Sequence, residues 1–223
     1  MLGWFSPKTL LQCLTRVLGW AFVALTLLVL IFGLFNLPTT PYVASERARL
    51  GELHQEWVRL EEINPHLRRA VLAAEDASFC SHWGFDIDAL RAAIADGAQR
   101  GGSTITQQTV KNVFLWQGRS WIRKGLEAVI TPLVELLWTK HRILEVYLNI
   151  AEFDEGIFGA QAASQKYFGV DASDLSLAQA SGLASVLPNP KERSARAPGN
   201  RGARIADGAQ TLARDGRAAC IED

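Results

Sequence analysis

A carboxylate able to take a proton, followed by a run of cations able to hold a phosphate, is the chemistry this sequence offers first. Glu75 ends the apolar run Ala70-Val71-Leu72-Ala73-Ala74 and stands beside Asp76. A semi-buried acid next to a second acid has its pKa raised, which suits proton abstraction. Taken alone, an acid on an alanine-rich helix is by default a solvated surface residue. Between Gly97 and Leu126 there are five cations, Arg100, Lys111, Arg119, Arg123 and Lys124, and no carboxylate, which makes that segment a candidate anion site. Gly101-Gly102-Ser103-Thr104 is a hydroxyl-bearing entry to a helix, whose free N–H groups favour anions. Thr104, Gln108 and Lys111 then recur on one face, a polar stripe without carboxylates. Arg123 and Glu127 lie four apart and by default make a surface ion pair contributing only about 0.3 kcal/mol. The functional alternative gathers Lys111, Arg119, Arg123 and Lys124 on one diphosphate, with Glu127 ordering the cations.

Other polar groups are assigned to structure. Asp86-Ile87-Asp88 imitates a metal-binding acid pair, but an Asp before a helical run is usually an N-cap, and no strand-bounded nucleotide fold precedes it. His82 is read as a structural hydrogen-bonder. Cys13, Cys80 and Cys220 are odd in number and lack metal-ligand spacing, so neither a disulfide framework nor a zinc site is expected. The formal charge sums to zero, and nothing in the balance points to nucleic acid.

The elements that must position these groups are mostly α-helical. Val17 to Leu37 is uncharged and long enough to cross a bilayer, so one transmembrane helix is expected there, behind a cytoplasmic residue 1–16 segment. Pro38 and Pro41 should stop it. A cleaved signal peptide is the alternative, disfavoured by the length of the apolar run. Lys8 and Arg16 before the span are matched by Arg47 and Arg49 after it, so charge alone leaves orientation nearly tied. Leu50, Leu53, Trp57 and Leu60 predict an amphipathic helix over Ser45 to Ile63 within a juxtamembrane segment 38–63. Asn64-Pro65 opens a helix that ends near Glu75. Further helices are predicted over Asp86–Asp96, Thr104–Leu115, Ser120–Trp138, Lys140–Ile150, Ile157–Phe168 and Ser176–Leu187, with no competing strand pattern. The main domain is placed at 64–190. The tail 191–223, with a thin stripe of Ile205 and Leu212, is expected to pack weakly.

In their order and spacing these segments resemble the peptidoglycan glycosyltransferases. EDASFCSHWG (75–84) looks like the family's first motif, GGSTITQQTVKN (101–112) its second, RKGLE (123–127) its third and RILEVYLN (142–149) its fourth. The resemblance covers roughly Leu60 to Pro190. It implies a lysozyme-like glycosyltransferase domain with a membrane-proximal lobe, preceded by one N-terminal transmembrane helix. It implies polymerisation of lipid II and the growing lipid-linked strand, with the catalytic domain outside the cytoplasmic membrane. Without a downstream transpeptidase signature the chain is expected to be monofunctional.

By the same resemblance, Glu75 is the general base and Glu127 the second important acid. Lys111, Arg119 and Arg123 match positions that hold the donor diphosphate, and Lys124 joins them by its place in the cationic run. Ser103, Thr104, Gln108 and Asn112 line the cleft, and Asp76, Phe79, His82 and Glu145 support it. No metal ligand set is visible and no cofactor is required, although charge alone would allow a magnesium or manganese ion at the diphosphate. Two other readings are carried forward: a membrane-bound glycan-cleaving enzyme, which would not need so many cations near its acid, and a non-enzymatic scaffold for other cell-wall proteins.

Overall fold

The computed structural model describes residues 7–95, 102–118 and 120–222. The chain divides into two compact units, the first 37 residues and Pro38–Asp223.

The first unit is dominated by α1 (Pro7–Leu34), 28 residues without an acid in its first turn or a base in its last. It starts ten residues before the expected Val17, because nothing in the stretch from Lys8 to Arg16 breaks a helix. From Lys8 to Leu34 it is long and apolar enough to cross a membrane. Most of its apolar side chains are exposed, Trp20 at 74%, although Val29 is buried.

In the second unit, Thr40 caps α2 (Pro41–Leu50) by accepting from the Val43 N–H at 3.2 Å. Of the helix expected over Ser45 to Ile63 only the part up to Leu50 forms, as the end of α2. Gly51 ends α2 with φ +84°, and the chain turns into strand β1 (His54–Gln55) and a 3-10 turn at Leu60–Glu62. The apolar spacing matched a helix, but a residue free to adopt positive φ ends one. α3 (Pro65–Glu75) follows, its N-terminus capped by Asn64 through the His66 N–H. α4 (Ile87–Ala95) is started by Asp86, whose carboxylate accepts from the Ala89 N–H, as the N-cap reading required. Its expected stop at Gly97 lies outside the described residues.

Side-chain caps define the next three helices. Thr104, Ser120 and Thr139 each accept from a first-turn N–H and open α5 (Ile105–Phe114), α6 (Trp121–Leu137) and α7 (Lys140–Ile150). α7 is the central helix, buried continuously from Ile143 to Ile150. Among the helices, where no strand pattern was expected, there is a small sheet, ordered β1-β3-β2, with β2 (Glu152–Asp154) antiparallel and β1 parallel to β3 (Ile157–Phe158). The helix expected from Ile157 therefore starts later, as α8 (Ala160–Phe168). Gly159 makes the change of direction at φ +86°, where a Cβ would lie 2.9 Å from the Asn149 carbonyl oxygen. Strands this short are too brief to show alternation.

α9 (Leu177–Val186) and α10 (Gly199–Arg214) complete the fold and both pack on α3. The tail beyond Pro190 is thus part of the core rather than loosely packed. Ile205, Ala209 and Leu212 are buried, and Gly208 comes so close to α3 that an added Cβ would meet the Ala73 methyl at 3.1 Å. The thin stripe suffices because α3 faces it with alanines. The chain end is fastened by three contacts. Arg68 donates to the Ile221 carbonyl at 2.8 Å, Arg69 pairs with Glu222, and Cys80 is disulfide-bonded to Cys220. That bond corrects the expectation of no disulfide: the partners are 140 residues apart, a separation that carries no pairing signal. Cys13 is free and exposed.

Candidate active site

Glu75 is the last residue of α3, so helix geometry fixes its backbone while its side chain leaves the helix end. The neighbouring Asp76 does the fastening. One of its oxygens pairs with His82 Nε2 at 2.8 Å, and the other accepts from the Ile105 N–H at 3.0 Å, tying the end of α3 to the first turn of α5. Beneath this junction Phe79 is buried, His82 meets its ring edge-on, and the Lys140 ammonium lies 4.5 Å from its centroid. Lys140 also donates to the His82 carbonyl at 2.8 Å and pairs with Glu135, which accepts from the Thr106 hydroxyl at 2.6 Å. Asp76, Phe79 and His82 therefore pack together beneath the end of α3.

α5 supplies the facing wall. The Gln108 amide donates to Glu75 Oε2 at 3.0 Å while its oxygen accepts from the Tyr147 hydroxyl at 3.3 Å, which fixes the amide's orientation. Burial raises the Glu75 pKa above the ordinary carboxylate range. The Gln108 hydrogen bond and the cationic Arg201 and Arg193 oppose that, and Asp76 adds to it. Burial likewise lowers the Lys111 pKa, helped by Arg123 and Lys124 and opposed by Glu127 and Glu75. Asn112 accepts from the Gln117 amide at 3.0 Å. Thr104 is buried with its hydroxyl engaged, donating to the Gly84 carbonyl at 2.7 Å and capping Gln107.

α6 completes the arrangement. Arg123 Nη1 donates to Glu127 Oε2 at 2.8 Å and its Nε to the Gly118 carbonyl at 3.0 Å. Lys124 pairs with the other Glu127 oxygen and donates to Ser103 Oγ at 3.2 Å. The Glu127 side chain is only 3% exposed and that of Arg123 12%, so this is not the surface pair its spacing suggested by default. Arg119, expected to join them, lies outside the described residues, as does Arg100. Glu145 sits apart from this group: it accepts from the Leu60 N–H at 3.0 Å and pairs with Arg142, locking α7 to the chain before α3.

The two acids and three described cations meet around one hollow of about 370 Å³, lined by Glu75, Ser103, Gln108, Lys111, Arg123, Lys124 and Glu127 together with Gln107 and Pro188. Glu75 also borders a second hollow of about 370 Å³ reaching Ser78, Asp86 and Gly102, which has no cation among its described lining residues. Asn112 and Lys111 reach a smaller third hollow with Tyr42 and Glu152. Donor atoms of Asp76, His82 and Asp86 lie within 4.8 Å of one another. They do not form a convincing metal site, because Asp76 is engaged by His82 and Ile105, and Asp86 caps α4.

Sequence reasoning missed Arg201, whose Nη2 lies 3.8 Å from Glu75 Oε1. The available signal was the basic spacing of Arg193, Arg196, Arg201 and Arg204 beside the Ile205–Leu212 stripe. It was discounted with the rest of the tail.

Residues 44–212 match the Transglycosylase family. The chain is 59% identical over 197 residues to the biosynthetic peptidoglycan transglycosylase of Jannaschia sp. (strain CCS1), spanning 86% of this chain and 82% of that protein. It is 50% identical over 200 residues to the protein of the same name from Pseudomonas putida (strain GB-1), spanning 85% of each.

Proposed function

This chain belongs to the transglycosylase family, and from that premise we propose how its residues polymerise lipid II into β-1,4-linked glycan strands. It is a peptidoglycan glycosyltransferase of cell-wall synthesis. The observation that carries the residue assignment is the shared hollow, in which Glu75 faces Lys111, Arg123 and Lys124.

Glu75 takes the proton from the 4-hydroxyl of the acceptor sugar as that oxygen attacks the anomeric carbon of the donor. The bond from that carbon to the diphosphate breaks, and undecaprenyl diphosphate leaves with the electron pair. Attack opposite an α-linked leaving group inverts the centre to β and needs no covalent enzyme intermediate. Lys111, Arg123 and Lys124 oppose the charge that develops on the leaving diphosphate, where fixed cations act most strongly. The depressed pKa of Lys111 follows from burial first and from crowding by Arg123 and Lys124 second, and an arriving dianion relieves that crowding. Glu127 holds Arg123 and Lys124 in place through one oxygen each. Arg119 is assigned to the same diphosphate on its sequence position. Ser103, Gln108 and Asn112 are assigned to sugar and phosphate oxygens, and Thr104 to shaping the helix end they stand on. The fixed cations make no cofactor necessary. A magnesium or manganese ion would enter with the diphosphate.

The membrane assignment rests on α1, a span-length helix at the N-terminus. An exported catalytic unit with a cytoplasmic N-terminus fits the Cys80–Cys220 disulfide, since such bonds persist in oxidising compartments. The full-length protein in lipid vesicles, given lipid II, should yield polymer resolved on a gel, and Glu75→Gln should abolish it while remaining folded. Normal polymerisation by that variant would overturn the assignment of the base. Consumption of finished glycan, with lipid II untouched, would favour the cleaving enzyme instead.

A further inference from the structure

α10 brings a cation to the acid from a part of the chain outside the four motif segments. Arg201, in the first turn of α10, approaches Glu75 Oε1 to 3.8 Å, while Oε2 is held by Gln108 of α5. The carboxylate is therefore gripped from two sides, by an amide and by a guanidinium. The Arg201 side chain is about one-third exposed, at 34%, and its Nε is buried without a hydrogen-bond partner. Part of its hydration has been surrendered to reach this place, and the placement is structurally enforced. Gly208 lets α10 lie against Ala73, two residues before Glu75, and the Cys80–Cys220 bond closes the far end of the same segment onto the loop after Glu75. Among the described residues, the other charged or titratable groups facing Glu75 are Asp76 on its own segment, Arg193 before α10, Lys111 on α5, Tyr147 on α7 and, across the shared hollow, Arg123, Lys124 and Glu127 on α6.

We propose that Arg201 is a positioning residue for glycosyl transfer, keeping the Glu75 carboxyl ionised and aimed and so setting the acidic end of the working pH range. The proposal rests on Glu75 being the base. A base must be ionised before it can accept a proton, and burial works against ionisation. A guanidinium at hydrogen-bonding distance would stabilise the anion so well that its basicity fell. At 3.8 Å it offsets burial without taking the lone pair the reaction needs. Gln108 also favours the anion, but it does so by a hydrogen bond that occupies Oε2, whereas Arg201 acts on Oε1 by charge from beyond hydrogen-bond distance.

The test is the pH profile of polymerisation by the full-length protein in vesicles containing lipid II, for wild type, Arg201→Met, Arg201→Lys and Glu75→Gln. The acidic limb of Arg201→Met should move to higher pH, with activity down about fivefold or more on the limb and within about twofold of wild type at the alkaline end. Arg201→Lys, which keeps the charge, should restore most of the limb. A loss of equal size at every pH, or a Lys variant no better than Met, would mean Arg201 only supports the fold and would overturn the proposal. Should the Met variant not fold, Arg201→Gln carries the same comparison. Activity in Glu75→Gln would overturn the base itself. An inactive Glu75→Gln beside an unmoved Arg201→Met limb would overturn the role of Arg201 alone.

Discussion

Glu75 is held at an energetic disadvantage, and that disadvantage has a sign that can be measured. Burial is the largest influence on its carboxyl and raises its pKa above that of the unfolded chain. A raised acid favours the folded state while protonated, below the unfolded pKa, and loses that contribution as pH rises through the folded pKa. At neutral pH the ionised, buried group therefore weighs against folding. Glu75→Gln, which accepts the Gln108 hydrogen bond without a charge, should raise the melting temperature at pH 7 to 8, with the gain shrinking toward zero near pH 4. Thermal unfolding across that range checks it, and a destabilised variant at pH 7 would show that Arg201 and Gln108 outweigh burial. At this scale the sequence revealed residue types and order but not environment. Arg123 and Glu127 read as an ordinary four-apart pair until α6 was seen to bury both. Thr104 read as a substrate ligand, yet its hydroxyl is occupied by Gly84 and Gln107.

Most helix starts were legible where a side chain caps them, Thr40 before α2 being the exception. Thr104, Ser120, Thr139 and Ser176 each announce a first turn, and the corresponding helices begin one residue later. Where backbone freedom decides, legibility failed: Gly51 ended a helix that its neighbours' spacing extended to Ile63, and Gly159 separated β3 from α8. Gly84 belongs to the same class and governs the site directly. It sits at φ +77°, its carbonyl accepts from Thr104, and an added Cβ would lie 2.5 Å from Thr131 Cγ2. Gly84→Ala combines left-handed strain with overpacking, and chemical denaturation should show a loss of about 2–4 kcal/mol. Thr131→Ser removes the opposing methyl, so the double variant should recover the packing part and keep the strain. Full recovery would mean that the positive φ costs little, and no loss in the single variant would mean the first-motif loop can shift away from α6.

Across the whole molecule, the pattern that carried catalysis was local and the pattern that holds the chain end was not. Four contiguous segments disclosed the site, whereas Cys80 and Cys220 became partners only through the return of α10 to α3. The outer face of α6 raises a related question of what covers a surface. Its inner side buries Glu127, Ile130, Thr131 and Val134, while Ile122, Leu126, Val129 and Leu136 recur at helical spacing on the exposed side. Trp121 is 93% exposed and Ile122 74%, an unusual arrangement for a face bordered by the cations of the site. With α1 as the proposed membrane anchor, one apolar phase is always at hand. We expect this stripe to enter the interfacial region of the bilayer, where each large apolar side chain withdrawn from water contributes roughly 1.5–3 kcal/mol. Ile122→Ser with Val129→Ser should then lower polymerisation of full-length lipid II in vesicles by roughly tenfold or more. Activity on a water-soluble, short-chain donor should stay within about twofold of wild type, since neither side chain lines the cationic hollow. The two substrates share the diphosphate and the sugars and differ only in the lipid. An equal fall on both would place the defect in the site or the fold rather than in contact with the bilayer, and the stripe would need another explanation.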